Sequence, residues 1–220
     1  MSSKLNTYII CAGGHARVLI DIIALSNLDL LGVFDDDEAL KGNKIKSIPI
    51  LGSPDKILQL NKDTTLLVNA LGNSPNNKNS NLENRKLLFY KFKKRGYIFE
   101  SIVSPHATVS SDVVLSEGAQ IISSATINSS VTIGTNSIIN TSASIDHDCK
   151  IGAHSHVAPG AVLCGGVTIG DCCHIGAGSV ILSGLRIGNG AVIGAGAIVL
   201  NDVLENQVVI GNPAKVIYHK

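Results

Sequence analysis

A six-residue period of aliphatic residues runs through the second half of the chain. From Val103 to Val199, every sixth residue is Ile, Val or Leu without a break. Two positions before each of these residues the side chain is mostly small, and glycine often follows the aliphatic residue. A regular run of this length is not expected by chance. The pattern is typical of the hexapeptide repeats that build parallel β-helices.

The repeat predicts the geometry of each coil. One hexapeptide forms a short strand and a corner, with the aliphatic residue pointing inward and a glycine or small residue allowing the tight corner. Three hexapeptides close a triangular coil, so residues 18 apart stack at about 4.8 Å, the spacing of paired strands. Such a stack leaves strand edges at both ends, and we expect residues 1–100 and 203–220 to cover them.

Before residue 103 the pattern changes to alternating strand and helix. This order is typical of a small parallel sheet of Rossmann type. We therefore expect two domains, residues 1–102 and 103–220. The elements predicted for the first domain are the strands Thr7–Cys11, Leu31–Phe34, Thr65–Leu71 and Tyr97–Val103, and the helices His15–Ser26 and Leu82–Arg95.

The first turn of the N-terminal domain contains a pair of glycines. Asp35 follows Gly14 by 21 residues, about where a dinucleotide fold places the acid that binds the ribose. Cys11 occupies the first glycine position of the G-x-G-x-x-G/A motif, which argues against NAD. A smaller nucleotide, a sugar nucleotide and a glycine turn with no ligand remain as alternatives.

Polar side chains follow two of the predicted strands. Asp35 and Asp36 begin an acidic cluster directly after the second strand, and Asn73 follows the next. Open parallel sheets bind ligands at the carboxyl ends of their strands, so we expect these side chains at one edge. For the acidic residues, a solvated turn is the alternative.

A histidine between two carboxylates, Asp146-His147-Asp148, falls at a predicted corner. Histidine can accept a proton near neutral pH, and a carboxylate on its other ring nitrogen fixes the tautomer and raises the basicity. Gly165 and Gly166 follow His147 and Asp148 by 18 residues, so the next coil carries no side chain above the histidine, which leaves room for a substrate. An inert surface histidine is the alternative.

Two further histidines, His156 and His174, lie 18 residues apart and are expected to stack on the outer face of a strand ladder. A resemblance to the γ-class carbonic anhydrases would imply zinc held by three histidines of two subunits. That interpretation leaves the N-terminal domain without a role, so we expect no metal. Cys149 and Cys173 occupy inward positions, which argues against them as nucleophiles, whereas Cys164 is the one exception because it lies 18 residues after Asp146.

Composition excludes several classes of protein. The net charge of +1 gives no general attraction to polyanions, so nucleic acid is not the expected partner. The longest apolar stretch, 190–200, contains glycine and is too short for a membrane span. The N-terminus lacks the pattern of a secretory signal, and the five cysteines include no C-x-x-C. We expect a cytoplasmic protein with reduced thiols.

Together these motifs resemble one bacterial family over nearly the whole chain. It comprises the left-handed β-helix acetyltransferases that N-acetylate nucleotide-linked 4-amino-4,6-dideoxy sugars, with the sialic acid O-acetyltransferases as close relatives. The motifs that carry the resemblance are Gly13-Gly14-His15, Phe34-Asp35-Asp36, Leu71-Gly72-Asn73, Ile145-Asp146-His147-Asp148-Cys149, the hexapeptides and Gly211-Asn212-Pro213-Ala214-Lys215.

The resemblance implies a Rossmann-like sugar-nucleotide-binding domain, a left-handed β-helix acetyltransferase domain with a C-terminal cap, and a homotrimer with active sites between subunits. His147 is implied as the general base and Asp148 as its orienting acid. The implied contacts fall into two groups. For the sugar nucleotide they are Gly14, His15, Asp35, Asp36 and Asn73, and for acetyl-CoA they are His156, Gly165 and Gly194.

The implied mechanism is direct acetyl transfer, in which His147 removes a proton from the sugar amine as the amine attacks the thioester. A sugar O-acetyltransferase of the sialic acid type is the nearest alternative, because His147 could serve a hydroxyl as well. A zinc hydrolyase and a non-catalytic sugar-nucleotide-binding scaffold are alternatives from other classes. The nucleotide, the sugar and the pathway do not follow from the sequence.

Overall fold

The structure, a computed structural model, describes residues 5–73 and 82–219. The chain divides into two compact units, residues 1–102 and 103–220. The division falls where the hydrophobic pattern changes from alternating strand and helix to the six-residue period. No helix of the described residues is long and apolar enough to cross a membrane.

The N-terminal unit is built around a four-stranded parallel sheet with the order β2-β1-β5-β6. A two-stranded antiparallel ribbon, β3-β4, and three short 3₁₀ helices complete it. The elements are β1 (Asn6–Ile10), α1 (Gly14–Ile23), β2 (Asp29–Phe34), β3 (Lys44–Ile45), β4 (Ile48–Pro49), β5 (Thr65–Asn69), α2 (Leu82–Lys93) and β6 (Ile98–Phe99), with 3₁₀ helices at Glu38–Leu40, Pro54–Gln59 and Lys62–Thr64.

Burial follows the predicted periods in this unit. The central strand β5 is buried along its whole length, as expected for a strand covered on both faces. Helix α1 buries Leu19 and Ile23 at helical spacing, and Phe89 and Phe92 of α2 belong to an aromatic cluster with Phe99. The parallel sheet predicted from the strand and helix order is confirmed.

The C-terminal unit is a left-handed β-helix of about six turns over residues 102–209. Parallel strands of two residues stack into three sheets, each strand pairing with the one 18 residues later. These strands are β7 (Ile102–Val103), β8 (Thr108–Val109), β9 (Val114–Leu115), β10 (Gln120–Ile121), β11 (Thr126–Ile127), β12 (Thr132–Ile133), β13 (Ile138–Ile139), β14 (Ser144–Ile145), β15 (Lys150–Ile151), β16 (His156–Val157), β17 (Val162–Leu163), β18 (Thr168–Ile169), β19 (His174–Ile175), β20 (Val180–Ile181), β21 (Arg186–Ile187), β22 (Val192–Ile193) and β23 (Ile198–Val199).

The aliphatic residues of the repeat form the core. Every one from Ile121 to Val199 is buried, with small residues such as Ala143 between them. The first coil departs from the prediction. Val103 is 41% exposed, and its neighbour Ile102 is buried instead. The predicted single strand Tyr97–Val103 is two short strands, β6 in the N-terminal sheet and β7 in the β-helix.

The corners turn at a position that the sequence interpretation did not assign. From Leu115 to Ile193, the residue three places after each aliphatic one has a positive φ, whether it is a glycine such as Gly166 or a side chain such as Asp148, with φ 60°. The glycines that directly follow aliphatic residues serve a different purpose. An added Cβ at Gly134 would lie 2.5 Å from the carbonyl carbon of Gly152 in the next coil, so stacking at strand spacing requires glycine there.

Two further strands end the chain. β24 (Gln207–Ile210) pairs in parallel with β22, and β25 (Lys215–His219) pairs with β24 in antiparallel fashion. Ala214, which lies in the connection, packs against the β-helix core. Val203 forms a bridge to Ile187 of β21, and Gly211 and Ala214 exchange main-chain hydrogen bonds with Ile198 of β23. The residues from 203 onward therefore cover the strand edges at this end of the stack, as predicted.

Candidate functional site

The corner between β14 and β15 carries the histidine and its two acids. The Nδ1–H of His147 donates to Asp148 Oδ2 at 2.8 Å, and both side chains are exposed, at 61% and 66%. A carboxylate can only accept, so the hydrogen bond places the proton on Nδ1. When the ring is neutral, Nε2 is therefore its proton acceptor, as the sequence suggested.

Asp146 supports the same corner from the other side. Its Oδ1 accepts from the main-chain N–H of His147 and from Asn128 Nδ2, both at 2.9 Å. Asn128 lies 18 residues before Asp146 and so stacks directly on it. The sequence analysis did not select Asn128, although the 18-residue spacing could have identified it.

The acids make His147 more basic. The hydrogen bond to Asp148 and then the negative charge of Asp146 raise the pKa of His147 above its usual 6.5. Hydrogen bonds from Asn128 and from the main chain of His147 lower the pKa of Asp146. Asp146 therefore stays ionised while the imidazole titrates above its usual range.

The glycine step of the next coil leaves space for the histidine ring itself. An added Cβ at Gly165 would lie 2.7 Å from both Cε1 and Nε2 of His147, which is closer than atoms can approach. The expectation that this space would hold substrate is therefore corrected, because the imidazole lies against Gly165. The Gly165 N–H donates a hydrogen bond to no acceptor among the described residues.

His156 has a different environment. It is 5% exposed, although the sequence placed it on an outer face. Asn140 Oδ1 accepts from the Thr141 N–H at 2.7 Å, which directs Asn140 Nδ2 toward His156 Nε2 at 3.0 Å. An amide nitrogen can only donate, so His156 Nε2 is an acceptor and the proton of the neutral ring is on Nδ1.

The predicted histidine ladder is present. His156 and His174 pair across β16 and β19, with ring centroids 5.3 Å apart. No group of three or more His, Cys, Asp or Glu residues among those described could hold a metal ion. His154, to which the sequence gave no role, is buried at a corner beside Asn136, 3.0 Å from His154 Nδ1 to the amide nitrogen.

Gly194 has a packing explanation. An added Cβ there would lie 2.6 Å from Cγ2 of Ile210 in β24, so the approach of β24 requires glycine. Its contact with acetyl-CoA stays a prediction.

The two buried cysteines of the β-helix are poor nucleophiles. Cys149 and Cys173 are buried in the core, as predicted. Burial raises the pKa of both, for Cys173 to about 12. Cys164 is half-buried, and its carbonyl accepts from the Cys149 thiol at 3.2 Å. Direct transfer needs none of these thiols.

A cavity of about 1010 Å³ opens at the carboxyl edge of the N-terminal sheet. All five predicted sugar-nucleotide residues line it. Its walls come from the turns that follow β1, β2 and β5 and from one face of α2. The lining residues are Cys11, Gly13, Gly14, His15, Asp35, Asp36, Asp37, Pro54, Ala70, Leu71, Gly72, Asn73, Asn84, Leu87, Leu88 and Lys91.

Hydrogen bonds give the acids of this cavity distinct surroundings. Asp35 Oδ2 accepts from the Ala12 N–H at 2.6 Å and Oδ1 from the Asp37 N–H at 2.9 Å, so Asp35 holds the glycine turn to the end of β2. Asp36 Oδ1 accepts from Ser53 Oγ at 2.8 Å. Cys11 has φ 77°, a conformation that favours glycine.

At the start of α1 the cavity is open. An added Cβ at Gly13 or Gly14 would meet no atom within 4 Å, and the helix N-terminus has no side-chain cap. Main-chain N–H groups at such a terminus attract anions. The arrangement suits the phosphates of a nucleotide.

Three family models match parts of the chain. Residues 6–80 match the PglD N-terminal domain, residues 148–183 match the bacterial transferase hexapeptide model of six repeats, and residues 166–201 match the hexapeptide repeat of succinyl-transferase. No curated protein sequence matches the chain.

Solved structures are similar over nearly the whole chain. A mutant of perosamine N-acetyltransferase from Caulobacter crescentus, in complex with CoA and GDP-perosamine, is 30% identical, with 97% of each chain covered and a TM-score of 0.88. The acetyltransferase domain of PglB from Neisseria gonorrhoeae, in complex with acetyl coenzyme A, is 27% identical, with 97% of this chain and 100% of that chain covered and a TM-score of 0.88.

WeeI from Acinetobacter baumannii is 25% identical, with 97% of this chain and 100% of that chain covered and a TM-score of 0.81. The similarity to these neighbours extends over both units and agrees with the resemblance found in the sequence. The chain belongs to the left-handed β-helix sugar acyltransferases.

Proposed function

We propose that the protein transfers the acetyl group of acetyl-CoA to the 4-amino group of a nucleotide-linked 4-amino-4,6-dideoxy sugar. The observation that carries this proposal is the His147 corner. The bond from Nδ1 to Asp148 leaves Nε2 as a proton acceptor on an exposed surface, and this is what an amine needs as it attacks a carbonyl.

The reaction is a direct transfer. The amine nitrogen of the sugar forms a bond to the thioester carbonyl carbon, and the bond from that carbon to sulfur breaks. The proton lost by the amine goes to His147 Nε2, and CoA leaves through its sulfur. Asp148 holds the ring in the productive tautomer and stabilises the imidazolium that forms. No covalent enzyme intermediate is required.

Acetyl-CoA is the acyl donor in this proposal. The neighbours solved with CoA or acetyl-CoA support it. The Gly165 N–H donates to no described group, and Gly165 lies against the His147 ring from the next coil, so this N–H is the proposed donor to the thioester oxyanion. His156, with its proton on Nδ1, and Gly194 are the other proposed contacts.

The N-terminal cavity is the proposed sugar-nucleotide site. The turn at Gly14 and the uncapped start of α1 bind the diphosphate. His15, Asp36 and Asn73 provide polar groups on three sides, while Asp35 keeps the turn in place. A perosamine N-acetyltransferase that carries GDP-perosamine supports an amino-sugar nucleotide as the acceptor.

A homotrimer with active sites between subunits is part of the proposal, since family resemblance implies it. Light scattering is expected to give about three chains per particle. A stable monomer with full activity would contradict shared sites.

The test is a turnover assay with purified protein and acetyl-CoA. The acceptors are UDP-, dTDP- and GDP-linked 4-amino-4,6-dideoxy sugars, with free sialic acid as the hydroxyl acceptor. We expect release of CoA and an N-acetylated product, identified by mass spectrometry, with at least one amino sugar. Turnover with sialic acid alone would replace the proposal with O-acetylation, and no turnover with any acceptor would contradict it.

A further inference from the structure

A charged side chain lies completely inside the N-terminal unit. Arg85, in the first turn of α2, has no exposed surface and is among the largest fully buried side chains of the described residues. Burying a guanidinium costs free energy unless its N–H groups find acceptors. Burial lowers the pKa of Arg85 to about 9, which still leaves the group charged at neutral pH.

The contacts of Arg85 connect α2 to the end of β5. Nη1 donates to the carbonyl oxygens of Asn69 and Leu71, both at 2.8 Å. In return, Asn69 Nδ2 donates to the Arg85 carbonyl oxygen at 3.0 Å, and Asn69 Oδ1 accepts from the Leu71 N–H at 3.1 Å. Two side chains thus fix the path of the main chain from Asn69 to Leu71.

This segment is one wall of the cavity. Leu71, Gly72 and Asn73 line it. An added Cβ at Gly72 would be in ordinary contact with Cβ of His15, 3.5 Å away. The wall therefore lies against a residue of the glycine turn. Moving Leu71 would move both Asn73 and the surface that His15 faces.

Arg85 is also close to the floor of the cavity. Burial, and to a lesser extent the charge of Asp35, raise the pKa of the Cys11 thiol to about 12, and the charge of Arg85 acts in the opposite direction. Cys11 lines the cavity and precedes the glycine turn. Arg85 itself is absent from the lining, so it can act on a ligand only through the residues it holds.

We infer that Arg85, together with Asn69, is a positioning residue for the sugar nucleotide and sets the affinity of the cavity by holding the wall from Asn69 to Gly72. This inference rests on the proposed function, because it takes the cavity as the sugar-nucleotide site. A position held by two charge-assisted bonds to carbonyl oxygens keeps the wall preformed, so the ligand does not have to order it on binding.

Three variants test the inference. Arg85→Met removes both donors and the charge, and we expect the KM for the nucleotide sugar to rise about tenfold or more while the KM for acetyl-CoA changes less than about twofold. Arg85→Lys keeps a cation with several donors and should lie between Arg85→Met and the wild type. Asn69→Ala removes the side-chain hydrogen bonds to the Arg85 carbonyl oxygen and from the Leu71 N–H, and it leaves the bonds of the guanidinium in place.

Tyr97→Phe is the matched control. Tyr97 is buried in the same unit, and its hydroxyl bonds to the carbonyl oxygens of Ile57 and Leu60. None of these three residues lines the cavity. The variant therefore removes a donor from buried carbonyl groups away from the site, and its KM values should stay close to those of the wild type despite a lower Tm.

The outcomes separate the two claims. If the wild type turns over an amino sugar and the KM for the nucleotide sugar is unchanged in Arg85→Met and Asn69→Ala, the inference is overturned while the proposed function stands. Equal increases in both KM values, matched by Tyr97→Phe, would also overturn it, since that is general destabilisation. If the wild type turns over no amino sugar, calorimetry with GDP, UDP and dTDP decides: weaker binding to the variants supports the role of Arg85, and equal or absent binding rejects it.

If Arg85→Met does not fold, the Asn69→Ala and Arg85→Lys variants decide the same question. A nucleotide-sugar KM within about twofold of the wild type in both would reject the inference.

Discussion

The β-helix uses two histidines, nine residues apart, in different ways. His147 is exposed at a corner and donates Nδ1–H to a carboxylate. His156 is buried on a strand and accepts at Nε2 from the amide of Asn140. The carboxylate supports a positive charge on His147 once it takes a proton. The Asn140 amide, in contrast, keeps the proton of the neutral His156 ring on Nδ1, so His156 can act there only as a hydrogen-bond donor.

The difference shows that the partner of a histidine matters more than the histidine itself. His147 has the arrangement of a base, because two acids raise its pKa and its side chain is exposed. His156 has the arrangement of a hydrogen-bond donor whose ring is held in one tautomer. The proposed roles, proton acceptor and acetyl-CoA contact, follow from these partners. Separate substitutions can test each role.

Removing the base should have the largest effect. We expect His147→Ala to lower kcat by about 10²–10⁴, the usual contribution of a general base, while calorimetry shows that both substrates still bind. The fold should persist, because the side chain is exposed. His106→Ala, at another exposed histidine of this unit, is the control and should be fully active. A kcat near the wild-type value in His147→Ala would mean that an already deprotonated amine needs no base.

Changing the donor should have the next largest effect. If His156 donates to bound acetyl-CoA, we expect His156→Ala to lower kcat/KM for acetyl-CoA by about 10²-fold, the lower end of what one such donor contributes. His156→Gln retains an N–H donor and should recover part of the loss. The comparison would fail if Gln and Ala variants were equally impaired, or if His156→Ala changed only the KM for the sugar nucleotide.

The glycine above His147 allows a sharper test of the corner. A Cβ at Gly165 would meet the imidazole at 2.7 Å, and displacing a catalytic group by about 1 Å can cost up to about 10²-fold. We expect a loss of about tenfold or more in kcat for Gly165→Ala. The equivalent position of the repeat holds Ala153 and Ala177, so the coil itself accepts alanine.

The double variant isolates the clash. Once His147 is alanine, no ring remains to be displaced, and Gly165→Ala should cost nothing further. Kinetics of the two single variants and the double variant measure this coupling. If the two losses simply add, Gly165 acts through something other than the imidazole.

The fold of the β-helix followed from the sequence because one rule repeats in every coil. The period gave the core from Ile121 to Val199, and the spacing of 18 gave each strand its partner. The rule fails at the first coil, where Val103 has no preceding coil of the helix to pack on and is exposed. The positive φ at Asp148 was also missed, since the corner accepts several residue types.

The sites could be predicted only in part, because their supporting residues lie outside the motifs. Spacing located His147, Asp148 and Gly165. It placed His156 on an outer face without revealing its burial, which depends on neighbouring coils. Arg85 resembled any other basic residue on a helix, and only the path of β5 and α2 together places its guanidinium on two carbonyl groups. Contacts formed by tertiary packing leave no local pattern.

The smallest expected effect is a change in pH dependence, and it tests which acid makes His147 basic. In the proposed mechanism the active form carries a neutral imidazole, so kcat/KM should fall as the pH drops through the pKa of His147, which lies above 6.5. Asp148→Asn removes the largest cause of the raised pKa, and asparagine tolerates the positive φ at this corner. We expect the acid limb to move to lower pH and the plateau of kcat to fall by about tenfold, less than in His147→Ala, because the proton acceptor is still present.

Asp146→Asn keeps an oxygen for Asn128 and for the His147 N–H but removes the charge, so its acid limb should move in the same direction by less. A limb that belongs to the sugar amine would instead stay at one pH in all three enzymes. Full pH profiles of kcat/KM therefore distinguish the two sources, and an acid limb at the same pH in wild type and Asp148→Asn would remove His147 from the proton transfer.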